Sequence, residues 1–548
     1  MTSRILSLLD RPSLDEYYRR GWWRDETVYA VARAQAERAP DRPALRDRHR
    51  RLTRGALIGA VDRFAADLAA RGIVAGQRLA LWMPDRIDSV IALLACSRNG
   101  LVICPSPHRN HTAAEVAGLL ERMRATGLVY QAGFGADGAS DDIARAAGSP
   151  GAPRHLLRLG DAADSTLLDL PAGPDAPPPA TDPDAVSYIA FTSGSTGAPK
   201  GVMHSDNTLL VTARGISADW GIGPESVVCS LSPFSHNLGI GSLLTAIVGG
   251  AEYVVHDVAR GESLVDRLVE TGTTYLVGVP THAIDLLAEL KRRGLARVGR
   301  LEAFRVSGAA VPAHVLSGLM AHGIAPQSGY GMTESNGHQY TLPGDDPKLI
   351  VESSGRACPG YEIAIFSEDD PTVALPPGEV GLLAGRGASL MLGYFDDQPA
   401  TESSFNEDGW FMTGDLGWVD GNGYLRLTGR RKEVIIRGGH NINPARIEAL
   451  AMRHAVIERA AAVPVADDRL GERVCLAVMF RRGEAVPPGA LLDHLAAAGL
   501  SRYDMPEFWL EFPEIPLMSN GKIEKRAIVE RIRAGQATPV ALDAGASG

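Results

Sequence analysis

Phe191-Thr-Ser-Gly-Ser-Thr-Gly-Ala-Pro-Lys-Gly-Val-Met-His-Ser205 is the stretch from which the rest of the chain can be read. It sets four hydroxyl side chains (Thr192, Ser193, Ser195, Thr196), three glycines (Gly194, Gly197, Gly201) and Lys200 directly after the apolar, strand-like run Val186–Phe191. Glycines let the backbone turn N–H groups toward an anion, hydroxyls add rotatable donors, and a lysine adds a point charge. That combination suits a polyphosphate. It is not a Walker A loop, which needs glycine before the lysine and Ser or Thr after it; Pro199 and Gly201 stand there. Taken alone, the segment also reads as a surface loop of small residues.

The chain around it has 548 residues, more than one hydrophobic core organises, so two or more domains are expected. A formal net charge of -10 argues against nucleic acid as the main partner, and an anionic ligand must be met by local positive charge. The five cysteines (Cys96, Cys104, Cys229, Cys358, Cys475) form no C-x-x-C pair, which indicates neither a disulfide framework nor a zinc site. A reducing, cytoplasmic home is expected, and the first ten residues lack the apolar core of a signal peptide. Residues 226–251 carry no Asp, Glu, Lys or Arg, yet Pro233, His236, Asn237 and four glycines interrupt them. They read as a buried strand, a turn and a packed helix rather than a membrane span. Only six of the 55 basic residues are lysine, and Lys200, Lys432 and Lys522 all sit in glycine-bearing motifs. A compact ammonium there is chemically distinct from a planar guanidinium.

Along the chain, helical and strand patterns alternate between residues 26 and 130: Val28 opens a helix, Arg78–Trp82 a strand, Ser89 a second apolar helix, and Leu101–Pro105 another buried strand. This predicts an α/β domain with a largely parallel sheet. The proline-rich Pro171–Pro183 is an extended connector. Tyr275–Val279 and Ala303–Val306 read as strands ending in turns, where ligands collect in open α/β sheets. Gly409–Asp415 reads as a tight turn ending in a carboxylate, and Asp420-Gly-Asn-Gly423 as a hairpin. The last hundred or so residues repeat the alternation on a smaller scale, with a disordered tail expected after Ala534.

Together with the opening loop, Tyr330-Gly-Met-Thr-Glu334, Thr413-Gly-Asp415, Gly429-Arg430 and Asn520-Gly-Lys522 resemble, in order, the motifs of the acyl-adenylate-forming (AMP-binding) superfamily. That superfamily includes acyl- and aryl-CoA synthetases, adenylation domains of peptide synthetases and beetle luciferases. Within it, the overall likeness is to ligases of cyclic and medium-length acids such as cyclohexanecarboxylate-CoA ligase. The resemblance implies a large N-terminal α/β domain of several subdomains (1–429), a small mobile α+β C-terminal domain (430–533) and a tail (534–548). It also implies ATP, Mg²⁺ and coenzyme A as reactants and cofactor, with CoA or a carrier-protein thiol taking the acyl group from an acyl-adenylate. A soluble monomer or homodimer is expected.

Residue by residue, the resemblance implies that Thr192, Ser193, Gly194, Ser195, Thr196 and Lys200 hold the β- and γ-phosphates. Thr333 would contact the α-phosphate, and Glu334 would bind magnesium. Tyr330 and the turn Gly308-Ala309-Ala310 would flank the adenine, and Asp415 with Arg430 the ribose. Lys522 would reach the acid carboxylate and α-phosphate, Lys432 would be the hinge, and Gly438 and Gly439 would line the pantetheine tunnel. His236 would gate that tunnel, and Asn237 and Gly239 would belong to the acid pocket. In activators of dihydroxybenzoate type the matching amide reads a ring hydroxyl, whereas Tyr330-Gly-Met-Thr-Glu departs from that subgroup's Phe-Gly-Met-Ala-Glu. A CoA ligase, an enzyme loading a carrier protein and a non-catalytic nucleotide-binding protein all remain open at this point.

Overall fold

The computed structural model describes the chain apart from residues 1–7, 9, 110, 137–142, 144–152, 161–166, 172, 174–175, 193–198, 259–260, 309–310, 312, 431–434, 443, 482, 517–522 and 543–548, and the side chains of a few others, Arg430 among them. Its framework is two large sheets with helices between them. The first has nine strands; its interior is parallel and runs Ala325–Met332, Ala303–Val306, Tyr275–Gly278, Val227–Ser230, Glu252–Val254 and Pro43–Arg46. The second has seven strands in the order Gly393–Tyr394, Lys200–Ser205, Val186–Thr192, Val102–Cys104, Arg78–Trp82, Gly127–Gln131 and His155–Leu159. Near-continuous apolar runs such as Val227–Ser230, buried at every position, are what a parallel strand covered on both faces requires.

The helix Ile87–Asn99 is buried along its whole length, including Asp88, Arg98 and Asn99, because it lies between the two sheets. Its polar side chains are satisfied internally: Arg86 pairs with Asp88 at 2.6 Å, and Arg98 with Asp62 at 2.6 Å. Asp206–Asp219 and Asn237–Gly249 pack in the same layer, the first starting directly from the strand Lys200–Ser205 with Ser205 as its cap and the second after the turn at Pro233. The charge-free stretch 226–251 is the predicted strand, turn and packed helix, and no described helix is long and apolar enough to cross a membrane.

A four-stranded antiparallel sheet (Tyr361–Phe366, Gly381–Gly387, Phe411–Val419, Leu425–Arg430) follows. It corrects one expectation. Thr413-Gly-Asp415 is not a turn but lies inside the strand Phe411–Val419, and the turn is at Gly409, whose φ is +78°. Pairing with Gly381–Gly387 on one side and Leu425–Arg430 on the other outweighed the glycine signal, Gly414 keeping a φ of +78° within the strand. The Asp420–Gly423 hairpin forms as expected, joining that strand to Leu425–Arg430.

The final six-stranded sheet carries the helices Pro444–Ala451, Pro488–Ala497 and Lys525–Arg533 and has its own apolar clusters. Val540–Ala541 pairs antiparallel with Phe508 and Trp509, so part of the stretch after Ala534 is a strand, where the sequence predicted disorder. This sheet touches the preceding body through Arg446, which pairs with Glu115, through Arg469 and Asp285 at 3.8 Å, and through Gly439.

Candidate active site

A cavity of about 320 Å³ opens where the strands of the nine-stranded sheet end and the C-terminal sheet meets it. Thr192 and Lys200 line one side. They are cross-strand partners in the hairpin of Val186–Thr192 and Lys200–Ser205, so the ladder holds both ends of the predicted phosphate loop at the cavity. Ser193, Gly194, Ser195 and Thr196 lie outside the described residues. The Lys200 ammonium sits 4.6 Å from the centre of the Tyr394 ring, and the Tyr394 hydroxyl donates to Glu334 Oε1 at 2.8 Å. A cation and a carboxylate thus face the cavity on either side of one phenol. Burial, then the Glu334 charge, push the Tyr394 hydroxyl far above the usual phenol range, so it remains a donor.

Thr333 and Glu334 also line the cavity, and the Thr333 carbonyl accepts from His204 Nε2 (2.7 Å) and Asn237 Nδ2 (3.2 Å). A carbonyl only accepts, which fixes the proton of His204 on Nε2. Burial pushes that imidazole down to about 4, and it is neutral at pH 7. Asn237 lines the cavity, as the acid-pocket expectation has it. Its Oδ1 accepts from Tyr188 at 2.7 Å while its amide holds the Thr333 carbonyl, so it ties the wall of the cavity to the Thr333 turn. Gly239 does not line the cavity; a Cβ there would fall 2.3 Å from the Pro233 carbonyl oxygen, so the turn before the helix requires its small size.

At the opposite side stand Gly308 (φ +91°) and Asp415; Ala309 and Ala310 lie outside the described residues. Asp415 is 5% exposed and accepts from the Tyr330 hydroxyl at 2.5 Å. Tyr330 is buried and does not itself line the cavity; it positions the carboxylate. Arg430 is the ladder partner of Asp415, which puts its backbone beside that carboxylate.

The C-terminal sheet supplies Gly438 (φ +57°) and Gly439 (φ +82°), with Gly439 at the cavity. Next to them, His440 bonds Asp504 at 2.6 Å and lies near three imidazoles of the larger body. His108 stacks on His236 at 4.4 Å and lies 5.1 Å from His111. Burial first, then mutual repulsion with His440, push His236 down to about 4. His111 also falls to about 4 through burial, with Asp504 opposing and Arg446 and the neighbouring imidazoles assisting. His108 is held well below its ordinary value by burial and by His236, His111 and His440. Arg437, two residues before Gly439, pairs with Glu507 at 2.9 Å. Lys432 and Lys522 lie outside the described residues.

The donors fit a magnesium ion. Glu334 offers a carboxylate at the cavity, and among the described residues no group of three or more His, Cys, Asp or Glu could hold a metal by itself. That suits an ion completed mainly by phosphate and water oxygens. Sequence reading missed His108, His111, His204, Tyr394 and His440. Only His204 lay in the quoted loop, and nothing in its spacing marked it.

The model of the AMP-binding enzyme family matches residues 32–395. The chain belongs to that family. The medium-chain fatty-acid–CoA ligase of Escherichia coli K12 is 29% identical over 518 residues, covering 93% of this chain and 91% of that one. The salicyl-AMP ligase / salicyl-S-ArCP synthetase of Mycobacterium tuberculosis is 30% identical over 535 residues, covering 94% and 92%. Among solved structures, a double mutant of o-succinylbenzoate CoA synthetase from Bacillus subtilis, bound with a product analogue, superposes with a TM-score of 0.79 at 23% identity, covering 91% and 98%. The AMP-binding family therefore accounts for the fold and for the order of motifs along the chain, and places it among adenylate-forming ligases of acyl and aryl acids.

Proposed function

We propose that the protein is an AMP-forming carboxylate-CoA ligase. The observation that carries this reading is one continuous cavity: it runs from Asp415 and Lys200, past Thr333 and Glu334, to Val277 and Thr245, with Gly439 at its margin. Such a cavity offers a polar end for ATP, a deep pocket for an acid and an approach for a thiol. In the first half-reaction an oxygen of the acid carboxylate attacks the α-phosphorus and pyrophosphate leaves. In the second, the thiol sulfur attacks the acyl carbon, its proton is lost to the surroundings, and AMP departs.

The residues divide the work accordingly. Asp415, oriented by Tyr330, accepts from the ribose hydroxyls, with Arg430 beside it. Lys200, with the hydroxyls of Thr192, Ser193, Ser195 and Thr196 and the backbone of Gly194, neutralises the outer phosphates. Glu334 holds Mg²⁺, which when bound offsets charge on the phosphates. Lys522 stabilises charge on phosphorus during displacement. Residues 1–429 and 430–533 act as two bodies turning about Lys432, the arrangement described here having Gly439 at the cavity for thiol entry.

Incubating the enzyme with ATP, Mg²⁺, an acid panel and CoA, and measuring both pyrophosphate release and acyl-CoA mass, tests this. Acid-dependent pyrophosphate with no acyl-CoA would instead favour loading of a carrier protein. The likeness to a relative named as a salicyl-S-ArCP synthetase keeps that second reading in play.

A further inference from the structure

The deep end of the cavity contains a charge that the reaction does not use. Arg305 lies on the strand Ala303–Val306 with its side chain in the cavity wall, only 3% exposed. One guanidinium nitrogen donates to Gln327 Oε1 at 3.1 Å and the other to the Gly337 carbonyl at 3.3 Å. Those acceptors are neutral, as is the Tyr275 hydroxyl that also bonds the guanidinium, which leaves part of its five N–H donors. No described carboxylate pairs with it. Tyr340 packs with its ring centre 5.6 Å from the guanidinium carbon and donates its hydroxyl to Asp219, so that carboxylate stands beyond the phenol and not in contact with the guanidinium.

The fold has made room for this side chain. A Cβ on Gly337 would lie 2.4 Å from an Arg305 terminal nitrogen, and one on Gly329 would lie 3.4 Å away. Gln327 Oε1 is further fixed by the Tyr275 hydroxyl at 2.5 Å. A guanidinium stays charged at any working pH, and an enclosed charge lacking a counter-ion is strongly unfavourable. Retaining one in a substrate pocket makes sense when the substrate brings the counter-ion. Arg305 stands three residues before Gly308 in the direction of the strand, roughly 10 Å deeper than the nucleotide end.

We infer that the acid activated here is doubly anionic: one carboxylate is adenylated near Thr333, and a second anionic group, carboxylate or sulfonate, docks on the Arg305 guanidinium. Val277, the ladder neighbour of Arg305, together with Ile216 and Thr212, forms the wall along the body of the molecule between the two ends. This rests on the adenylating reading and adds to it the substrate's class. A guanidinium in the lining, with donors to spare beyond its wall contacts, favours an anionic terminus over a neutral alkyl or ring one.

The test is pyrophosphate release by the full-length enzyme with ATP and Mg²⁺ on matched acid pairs: adipate against hexanoate, cyclohexane-1,4-dicarboxylate against cyclohexanecarboxylate, and terephthalate against benzoate. In the best-accepted pair the diacid is expected to have a kcat/KM at least tenfold above its partner. Arg305→Met should lower diacid kcat/KM by about 10- to 100-fold and raise that of the monoacid, while Arg305→Lys keeps the diacid preference. ATP KM stays within about twofold in both. If Arg305→Met does not fold, the wild-type ranking decides. Monoacids used as well as or better than their diacids in every pair would overturn the inference while leaving adenylation standing. No pyrophosphate from any acid would remove the adenylating reading and this inference with it.

Discussion

Replacing Gly439 by alanine isolates the thiol-transfer step. Gly439 has φ +82°, and a Cβ added there lies 2.9, 3.2 and 3.3 Å from Val279 Cγ1, Cγ2 and Cβ. The left-handed backbone costs a non-glycine residue about 1–2 kcal/mol. The contact with Val279 is well inside the 3.5–4.0 Å optimum, and overpacking of this kind costs about 1–3 kcal/mol because a β-branched neighbour has few rotamers to retreat into. Only the Val279 contact depends on this loop sitting at the cavity, and about 1–3 kcal/mol at 1.4 kcal/mol per decade predicts a fall of about 5- to 150-fold in acyl transfer. Rapid-quench single turnovers separate the steps: pyrophosphate formation should stay within about threefold of wild type, and transfer from preformed adenylate to CoA should fall by that factor. Adding Val279→Ala should restore most of that loss by removing the clash but not the backbone term. Equal losses in both half-reactions, or no recovery in the double variant, would refute the geometry of this argument.

Tyr330→Phe removes the bond to Asp415 and should raise the ATP KM about 5- to 30-fold with kcat little changed, measured by pyrophosphate release at saturating acid. Tyr394→Phe should shift the Mg²⁺ concentration needed for half-maximal rate, because the Glu334 carboxylate loses its phenol donor; an unchanged metal titration would contradict its placement. Burial raises Asp85 from 3.8 to about 7, with the Phe234 N–H opposing, so its contribution to stability is lost as pH climbs from 3.8 through 7. Asp85→Asn should therefore raise the melting temperature most at pH 8, less at pH 5, and hardly at all below pH 3.8. The imidazoles of His108, His111 and His236 are pushed below 6.5, so their burial is tolerated above that pH and is penalised as pH falls from 6.5 toward 4, about 1.4 kcal/mol per unit for each imidazole. The charged groups around them are His440 with Asp504, and Arg446 with Glu115. Acyl transfer should fall more steeply than adenylation over that range, and His440→Gln should flatten the difference.

The features legible in the sequence were those set by local chemistry. The alternation of strands and helices, the phosphate-loop hairpin at Thr192 and Lys200, and Thr333, Glu334 and Asp415 around one cavity all follow from motif order and apolar patterning. What escaped depends on which strand lies beside which. Arg305 appeared only as one letter in a strand-like run, and nothing local says that its neighbour on the next strand is Gln327 or that Gly337 leaves space for it. Asn237 lines the cavity, but its bonds to Tyr188, which lies 49 positions earlier, and to the Thr333 carbonyl had no local signal. Asp415 was placed on a turn because Gly414 precedes it, whereas pairing of Phe411–Val419 on both sides decided for a strand.

Because Thr192 and Lys200 face each other across an antiparallel ladder, the connection between them can change length without altering where its two ends emerge. A single residue inserted within Lys200–Ser205 would act differently. It would reverse the side on which every subsequent side chain projects, sending the His204 ring away from the Thr333 carbonyl and uncoupling the two walls of the site in one step. A length change in that connection should thus leave the hairpin folded while altering phosphate binding, whereas one in the strand that follows should disrupt the site itself.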